Sequence, residues 1–228
     1  MSRAELVELL SHPTAESSGP GWAPATFSRD YRRKNNVETV HAYVLDYDGT
    51  ATLDQILERW KGVSGLIHTS PSHVPGRRAC NECNSKLKKR DRITFDGETC
   101  PKCGRQANLS ERYRLVLWIS RPVTSAEYVA LWGALRERTG QVDETTKDPS
   151  RFWYLPVAGE HFMSQELPGV PLDVDACLRE SPVPIRPAVV HLDKHRPSGT
   201  ESTLEKRARA WVAKADPAVS GSHGHNGL

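Results

Sequence analysis

The sequence lacks several features that would place it in a large class of proteins. No apolar run is long enough to span a bilayer, which argues against a membrane-spanning chain. The first residues carry Arg3, Glu5 and Glu8 and cannot form the apolar core of a secretory signal, so we expect a cytoplasmic protein with no membrane partner. The sequence contains no internal repeat of the kind that would indicate a solenoid. The net charge of +3 alone indicates no partner.

Cysteine is scarce, and its five copies are an odd number, which argues against a disulfide framework. Four of them lie in CNEC (Cys80 and Cys83) and CPKC (Cys100 and Cys103), a C-x2-C-x16-C-x2-C pattern. Two such pairs at this separation predict a tetrahedral four-thiolate site with Zn²⁺ as its structural cofactor. Cys177 lies far outside the pattern and is expected to be a small, partly buried residue.

The cysteines define a zinc ribbon at about residues 76–107. Within it, Asp96-Gly97 predicts a type I′ hairpin turn between the two cysteine pairs. From Gly76 to Arg105 there are nine Lys or Arg and four Asp or Glu, so this segment carries +5 and the rest of the chain −2. The basic excess indicates either nucleic-acid contact, with Lys88, Lys89 and Arg90 as candidates, or only a solvated charged hairpin around a structural metal.

Outside the ribbon, 228 residues suffice for one sizeable domain or two small ones. Serine or threonine followed three residues later by Glu or Gln predicts helix starts at Ser2, Thr52 and Thr124. Runs of β-branched and aromatic residues predict strands at 37–48, 65–70, 112–120 and 152–157. Strands that alternate with helices indicate an α/β or α+β fold that carries the ribbon as an insertion.

The strand at 37–48 ends in Asp46-Tyr47-Asp48. Side chains alternate along a strand, so the two carboxylates project from one face and lie about 7 Å apart. Such a pair can hold Mg²⁺ or Mn²⁺ together with substrate phosphates, but it can equally be a solvated turn. The segment VLDYDGTAT also resembles the opening motif of haloacid-dehalogenase-type phosphatases, in which Asp46 would be the nucleophile. The acidic pair that closes such a site is missing from the C-terminal half.

Three further segments follow in order along the chain: Thr69-Ser70-Pro71-Ser72-His73, then RYRLVL at 112–117 leading into ISRPVT, and then VDETTKDPSRFWYLP at 142–156. With the Asp-x-Asp strand, they resemble the archaeo-eukaryotic primase superfamily, and within it the primase-polymerase domains of plasmid- and phage-type replication proteins. The resemblance runs from about Trp22 to Pro156. It implies a compact, partly RRM-like catalytic core and a DNA primase or DNA-directed polymerase activity.

The resemblance also implies roles for individual residues. Asp46, Asp48 and Asp143 would be the catalytic metal ligands, and Ser72 and His73 would lie at the triphosphate of the incoming nucleotide. The family's motif is often Ser-x-His, whereas this chain has Ser-Pro-Ser-His. The expected contact with the triphosphate therefore depends more on His73 than on Ser72. A raised His73 pKa would add positive charge there. The substrates would be nucleoside triphosphates and a single-stranded DNA template.

Two pairs of basic residues are further candidates for phosphate contact. Arg112 and Arg114 share a strand face opposite Tyr113, which suits phosphates or only a solvent-facing edge. Lys147 and Arg151 are weaker candidates. The aromatic residues near them are expected to be core rather than base-stacking platforms: Trp118, Trp132, Trp153 and Tyr154.

We therefore expect a catalytic domain at residues 1–185 and a Pro-rich linker with a short helix at 186–228. In proteins that look like this one, such a segment leads into another domain, often a helicase, so a fused downstream helicase or accessory domain is expected. Two rival functions remain open: a phosphatase of the haloacid-dehalogenase type, and a non-catalytic module that binds nucleic acid through the ribbon.

Overall fold

The computed structural model describes residues 2–15, 21–28, 32–85, 87 and 93–180, which belong to one compact unit. Lys88, Lys89, Arg90 and the segment 186–228 lie outside the described residues, so the expectations for them stay predictions. None of the described helices has the length and apolar character needed to cross a bilayer.

The strands of the described residues are β1 (Gly21–Trp22), β2 (Ala25–Phe27), β3 (Val37–Asp48), β4 (Gly62–Val63), β5 (Gly65–Thr69), β6 (Arg78–Ala79), β7 (Thr94–Phe95), β8 (Asn108–Leu109), β9 (Arg112–Val123), β10 (Trp153–Tyr154), β11 (Ser164–Leu167) and β12 (Gly169–Val170). The α-helices are α1 (Arg3–Ser11), α2 (Leu53–Arg59), α3 (Asn81–Asn84), α4 (Ser125–Ala134), α5 (Arg136–Thr139) and α6 (Val174–Arg179).

A five-stranded sheet in the order β11-β5-β9-β3-β2 forms the centre of the fold. Its two long strands, β3 and β9, have the β-branched and aromatic composition that suits a pleated, largely buried surface. All four strand pairings in this sheet are antiparallel. The described residues therefore form a mixed α+β fold with an antiparallel central sheet, which is the α+β form of the expected fold class.

Helices α2, α4 and α6 cover one face of this sheet, and α1 together with the β1-β10 pair covers the other. Tyr43, Leu45 and Tyr47 of β3 point into the larger core cluster, which includes residues of α2, α4 and α6. Ala42 and Val44 point to the opposite face, into a smaller cluster that also contains residues of α1, β1 and β10. Because Asp46 and Asp48 continue that second series, the charged end of β3 lies on the face covered by α1 and β10.

The three expected helix starts are confirmed, each with a reciprocal capping box: Ser2 with Glu5, Thr52 with Gln55, and Thr124 with Glu127. The helical segment that starts after Thr124 is divided, because the chain leaves helical geometry at Leu135, between α4 and α5. The expected strand at 152–157 is only two residues long. Pro156, which has no N–H to give to a ladder, lies two residues beyond it.

The ribbon lies between β5 and β9 as a small sheet in the order β7-β6-β8. The predicted type I′ hairpin at Asp96-Gly97 is wrong. Such a turn needs positive φ at both central residues, and only glycines have positive φ among the described residues. The chain before Gly97 pairs with β6, whereas Thr99 after it bridges Gln106, so the two sides of the turn join different partners.

Candidate active site and zinc centre

The strand register brings two Asp–Arg pairs together on one face of the sheet. Asp46 lies opposite Arg114, and Asp48 opposite Arg112, in the β3-β9 ladder. The guanidinium Nη1 of Arg112 lies 2.6 Å from Asp48 Oδ1, and Nη2 of Arg114 lies 3.6 Å from Asp46 Oδ2. The expectations that the two aspartates share a face, and that the two arginines do, are confirmed. The arginines face carboxylates, however, rather than an open edge.

The two pairs differ in depth. The Asp48 side chain is 50% exposed, whereas that of Asp46 is 13% exposed and that of Arg114 is 14% exposed. Arg114 stacks over the Trp153 ring, with Cζ 4.4 Å from the ring centroid, and donates to the Tyr154 carbonyl at 3.2 Å. The inner pair is thus fixed by packing, and the outer pair lies at the rim.

Burial raises the pKa of Asp46 above its ordinary value, because the charged form is poorly solvated there. The positive charge of Arg114 opposes this rise, and the negative charges of Asp48 and Asp143 add to it. Asp46 is therefore near enough to both other carboxylates to be affected by their charges. This position favours either a proton or a bound cation at Asp46.

Asp143 lies beside the Asp-x-Asp strand, because its backbone N–H donates to the carbonyl of Asp46 at 3.0 Å. Its carboxylate caps the 3-10 turn Glu144–Lys147 and accepts from Thr145 N–H at 2.9 Å and from Thr145 Oγ1 at 2.6 Å. Nη2 of Arg151 lies 3.4 Å from Asp143 Oδ2. The structure thus brings a third Asp–Arg pair next to the first two, with Arg151 as the partner.

His73 is mostly buried and lies 4.9 Å, ring centroid to ring centroid, from Tyr113. Its Nδ1 accepts the backbone N–H of Arg112 at 3.0 Å, which leaves the ring proton on Nε2. Burial lowers the pKa of His73, although the negative charge of Glu111 opposes this. The condition for a positive charge at His73, a raised pKa, is therefore not met. His73 is a neutral donor through Nε2, which has no hydrogen-bond partner among the described residues.

The remaining candidates for phosphate contact differ in whether they contact the three aspartates. Ser72 is exposed, and its hydroxyl lies 3.3 Å from that of Ser70. Lys147 lies 3.6 Å from Glu144 and over the ring of Trp132, so it contacts none of the three aspartates within the described residues. Arg151 contacts Asp143 and also lies over the ring of Trp153.

Sequence reasoning missed two residues near these pairs. His68 lies opposite Arg114 on β5, and its Nδ1 donates to the carbonyl of Thr69 at 3.0 Å. Burial, and then the charge of Arg114, lower its pKa to about 3, and its buried Nε2 has no partner among the described residues. Tyr154 was expected in the core but is 60% exposed. In the two-residue strand β10 successive side chains point to opposite faces, and Trp153 takes the buried one.

The four ribbon cysteines form a compact cluster in which all four Sγ atoms lie within 4.8 Å of one another. The Sγ atoms of Cys80 and Cys103 are 3.6 Å apart, and those of Cys83 and Cys100 are 3.8 Å apart. A Zn–S bond of about 2.3 Å gives tetrahedral S···S edges of about 3.8 Å, so the cluster fits Zn²⁺ and is too open for a disulfide. The expected zinc-binding arrangement is confirmed.

The second cysteine pair has the backbone that a metal knuckle needs. Gly104 has a φ of +71° and donates its N–H to the carbonyl of Cys100 at 2.9 Å, as its place after CPKC predicts. The neighbouring thiols, first that of Cys103, raise the pKa of Cys83 to about 12, whereas at Cys100 desolvation is outweighed by the N–H donors of Lys102 and Cys103, which lower the pKa to about 7. These donors favour the thiolate form that binds zinc.

The ribbon is joined closely to the turn that follows Asp48. Gly49 has a φ of +75°, and a Cβ at this position would lie 2.1 Å from the carbonyl oxygen of Leu109. The Gly49 N–H donates to Glu111 at 2.9 Å, and the Ser110 N–H donates to Arg77 at 2.8 Å. A cleft of about 320 Å³ opens beside this junction, lined by Asp48, Ala79, Asn81, Asn84, Ser85 and Arg112.

Among the described residues, the cysteines are the one set of three or more His, Cys, Asp or Glu side chains whose ligand atoms lie close enough to share an ion. As they lie, the carboxylates of Asp46, Asp48 and Asp143 are turned to their arginines instead. No protein-family model matches the chain, and no curated protein or solved structure shows significant similarity to it.

Proposed function

We propose that this chain is a template-directed nucleotidyltransferase of the primase-polymerase type. The observation that carries the proposal is the register that sets Asp46 and Asp48 side by side, with Asp143 attached to the same strand by its backbone hydrogen bond to Asp46. The sequence resemblance supplies the reaction class, and it rests on motifs alone.

The donor chemistry fits hard divalent cations. Asp46, Asp48 and Asp143 offer only oxygen atoms, which Mg²⁺ and Mn²⁺ prefer, and the charges of Asp48 and Asp143, which raise the pKa of Asp46, suit a site that holds positive charge. The three aspartates would hold these ions, whose positive charge would make a primer 3′-hydroxyl more acidic and stabilise a leaving pyrophosphate.

The arginines explain how the surface formed by the Asp–Arg pairs can be stable without substrate and can still bind a substrate phosphate. Arg112 and Arg114 neutralise Asp48 and Asp46 in the structure described here. A guanidinium binds phosphate as well as carboxylate, so the triphosphate can take over Arg112 while Asp48 turns to a cation. Arg112 is the better candidate for this exchange, because its partner Asp48 lies at the exposed rim.

His73 supports the same reaction as a neutral donor. Since the backbone N–H of Arg112 fixes the proton on Nε2, that atom can donate to a phosphate oxygen at neutral pH without a change of charge. The shared contact with Arg112 also ties the orientation of the ring to the strand that carries both arginines. His73 thus suits nucleotide binding and positioning rather than proton transfer.

The test is incorporation of labelled nucleotides on single-stranded DNA, with and without a primer, in Mg²⁺ or Mn²⁺. We expect incorporation by the unaltered chain and a loss of at least about a hundredfold in Asp48→Asn, because the change removes a metal ligand from a charge-stabilised transition state. Asp54→Asn, at an exposed carboxylate of α2, is the matched control and should keep full activity.

The same assay separates the rival functions. Near-normal incorporation by Asp48→Asn would remove the metal assignment. Release of phosphate from small phosphomonoesters without any incorporation would favour a phosphatase of the haloacid-dehalogenase type. DNA binding without turnover of either substrate would favour the ribbon as a non-catalytic binding module.

A further inference from the structure

The zinc ribbon forms one wall of the cleft whose other wall is the candidate catalytic strand end. Asp48 and Arg112 line one side, and Ala79, Asn81 and Ser85 line the other. A volume of about 320 Å³ is at the lower end of the range of small-ligand sites. The ribbon is therefore adjacent to the chemistry and is not a separate arm that reaches only for distant DNA.

The two walls offer different chemistry. Asp48 and Arg112 are charged and suit a phosphate group with its cation. Asn81 is exposed, and its amide has no hydrogen-bond partner among the described residues. Ser85 donates to the Glu82 carbonyl at 2.8 Å and keeps its lone pairs to accept another bond. An amide and a hydroxyl beside the Ala79 methyl suit the sugar hydroxyls and base edge of a nucleoside.

The amide of Asn84 takes no part in this wall's recognition, because it is already used within the ribbon. Its Nδ2 donates to the Ile93 carbonyl at 2.9 Å, and its Oδ1 accepts the Ile93 N–H at 3.0 Å. These bonds hold the first cysteine turn against the start of β7. Asn81 is thus the amide of the cleft that is available to a ligand.

The wall is held in place from both ends. The close approach of Gly49 to the Leu109 carbonyl fixes the ribbon against the turn after Asp48. The cysteine cluster that fits zinc begins at Cys80, between the wall residues Ala79 and Asn81. Zinc binding therefore fixes the turn that carries Ala79 and Asn81, while the contact at Gly49 fixes the base of the ribbon next to Asp48.

We propose that the ribbon wall, through Asn81 and Ser85, binds the nucleoside part of the nucleotide whose phosphates lie at Asp48 and Arg112. This rests on the proposed function and extends it, because it gives the ribbon a part in nucleotide selection. The ligand class is a nucleoside triphosphate with its divalent cation.

The test is equilibrium binding of a non-hydrolysable nucleoside triphosphate analogue to the full chain, with Mg²⁺ and without DNA. Asn81→Ala should weaken binding about three- to tenfold, which is the usual net value of one or two hydrogen bonds. Asn81→Leu, which also narrows the cleft, should weaken it more. Asn108→Ala, an exposed ribbon residue outside the cleft, is the matched control and should bind as the unaltered chain does.

Zinc content, measured for every variant, shows that the ribbon has kept its metal. Unchanged analogue binding in Asn81→Ala and Asn81→Leu would overturn the proposal, and so would weaker single-stranded DNA binding with unchanged analogue binding. These outcomes leave the incorporation activity of the unaltered chain intact. If the chain binds the analogue in an Asn81-dependent way but incorporates no nucleotide, the proposed polymerase function is refuted, while the proposal that the ribbon wall binds the nucleoside stands.

Discussion

The buried pair of Arg114 and Asp46 allows a prediction with a magnitude. Replacing Arg114 by Met keeps an unbranched side chain to pack on Trp153 but removes the charge beside Asp46. Loss of one partner from a buried pair costs about 3–5 kcal/mol of the free energy of unfolding. The separation of 3.6 Å is long for an ion pair, so we expect a value near the lower end, about 3 kcal/mol.

Asp46→Asn should behave differently. Burial raises the pKa of Asp46, which means that the charged carboxylate is already disfavoured in the folded chain. Asn removes that burden, and Arg114 keeps its bond to the Tyr154 carbonyl and its stacking on Trp153. We expect a change in the free energy of unfolding of no more than about 1 kcal/mol. The double variant should cost less than the two single changes added together, since it leaves no charge without a partner.

The pH dependence follows from the direction of the shift. A carboxyl group whose pKa is raised by folding stabilises the fold below its ordinary pKa, and this contribution is lost as the pH rises through the raised value. The cost of Arg114→Met should therefore be large at pH 7.5 and smaller at acid pH, where Asp46 is protonated and needs no partner.

Urea unfolding of the four proteins across this pH range, followed by tryptophan fluorescence with zinc present, measures the cycle. All four share the same ribbon, so its own pH dependence cancels in the differences. A cost of Arg114→Met that is the same at both pH values would refute the reasoning, because it would mean that the charge of Asp46 contributes nothing.

Three further predictions concern the ribbon and its junction. Elemental analysis should find one zinc ion per chain, and Cys100→Ser or a strong chelator should remove it and lower the melting temperature; a chain purified without zinc would contradict the site. Gly49→Ala should lower the free energy of unfolding in urea by at least about 2 kcal/mol, because its Cβ overlaps the Leu109 carbonyl at a residue that already has a positive φ. Gly62→Ala is the control, because Gly62 has a similar φ and open space around it, and it should cost about 1 kcal/mol. Equal costs would show that the Leu109 contact does not restrict Gly49. Replacing Lys88, Lys89 and Arg90 by Ala should weaken single-stranded DNA binding and flatten its salt dependence. Unchanged binding would mean that these three residues do not contact DNA.

The sequence was informative wherever a short-range pattern decides the structure. The capping boxes at Ser2, Thr52 and Thr124 and the two Cys-x-x-Cys turns each depend on residues three apart, and all were predicted correctly. The two-residue alternation placed Asp46 with Asp48 on one face. The order of strands was not predictable in this way, because it depends on contacts between segments far apart in the chain.

The misses have physical reasons too. The strand β11 lies at an edge of the sheet, and its sequence SQEL has no apolar alternation to mark it. The sequence indicated that Arg112 and Arg114 share a face but could not show that this face meets Asp48 and Asp46, which requires the antiparallel register. For His73 the pattern indicated a ligand contact, while the direction of its pKa shift depends on burial that only the fold creates.

The register also explains why the polar residues lie where they do. On the face that carries Ala42 and Val44, β3 is apolar while α1 and β10 cover it, and it becomes charged at Asp46 and Asp48, near the end of the strand. Arg114 and His68 lie across from the first charged position, and their neighbours Val116 and Leu66 lie on the apolar side of the same boundary. One sheet face thus serves as core along most of its length and as a site at its end. The ribbon meets this end at Gly49, and its strand β8 continues along the chain into β9 at Arg112, so the backbone joins the ribbon directly to the strand ends that carry the charged pairs.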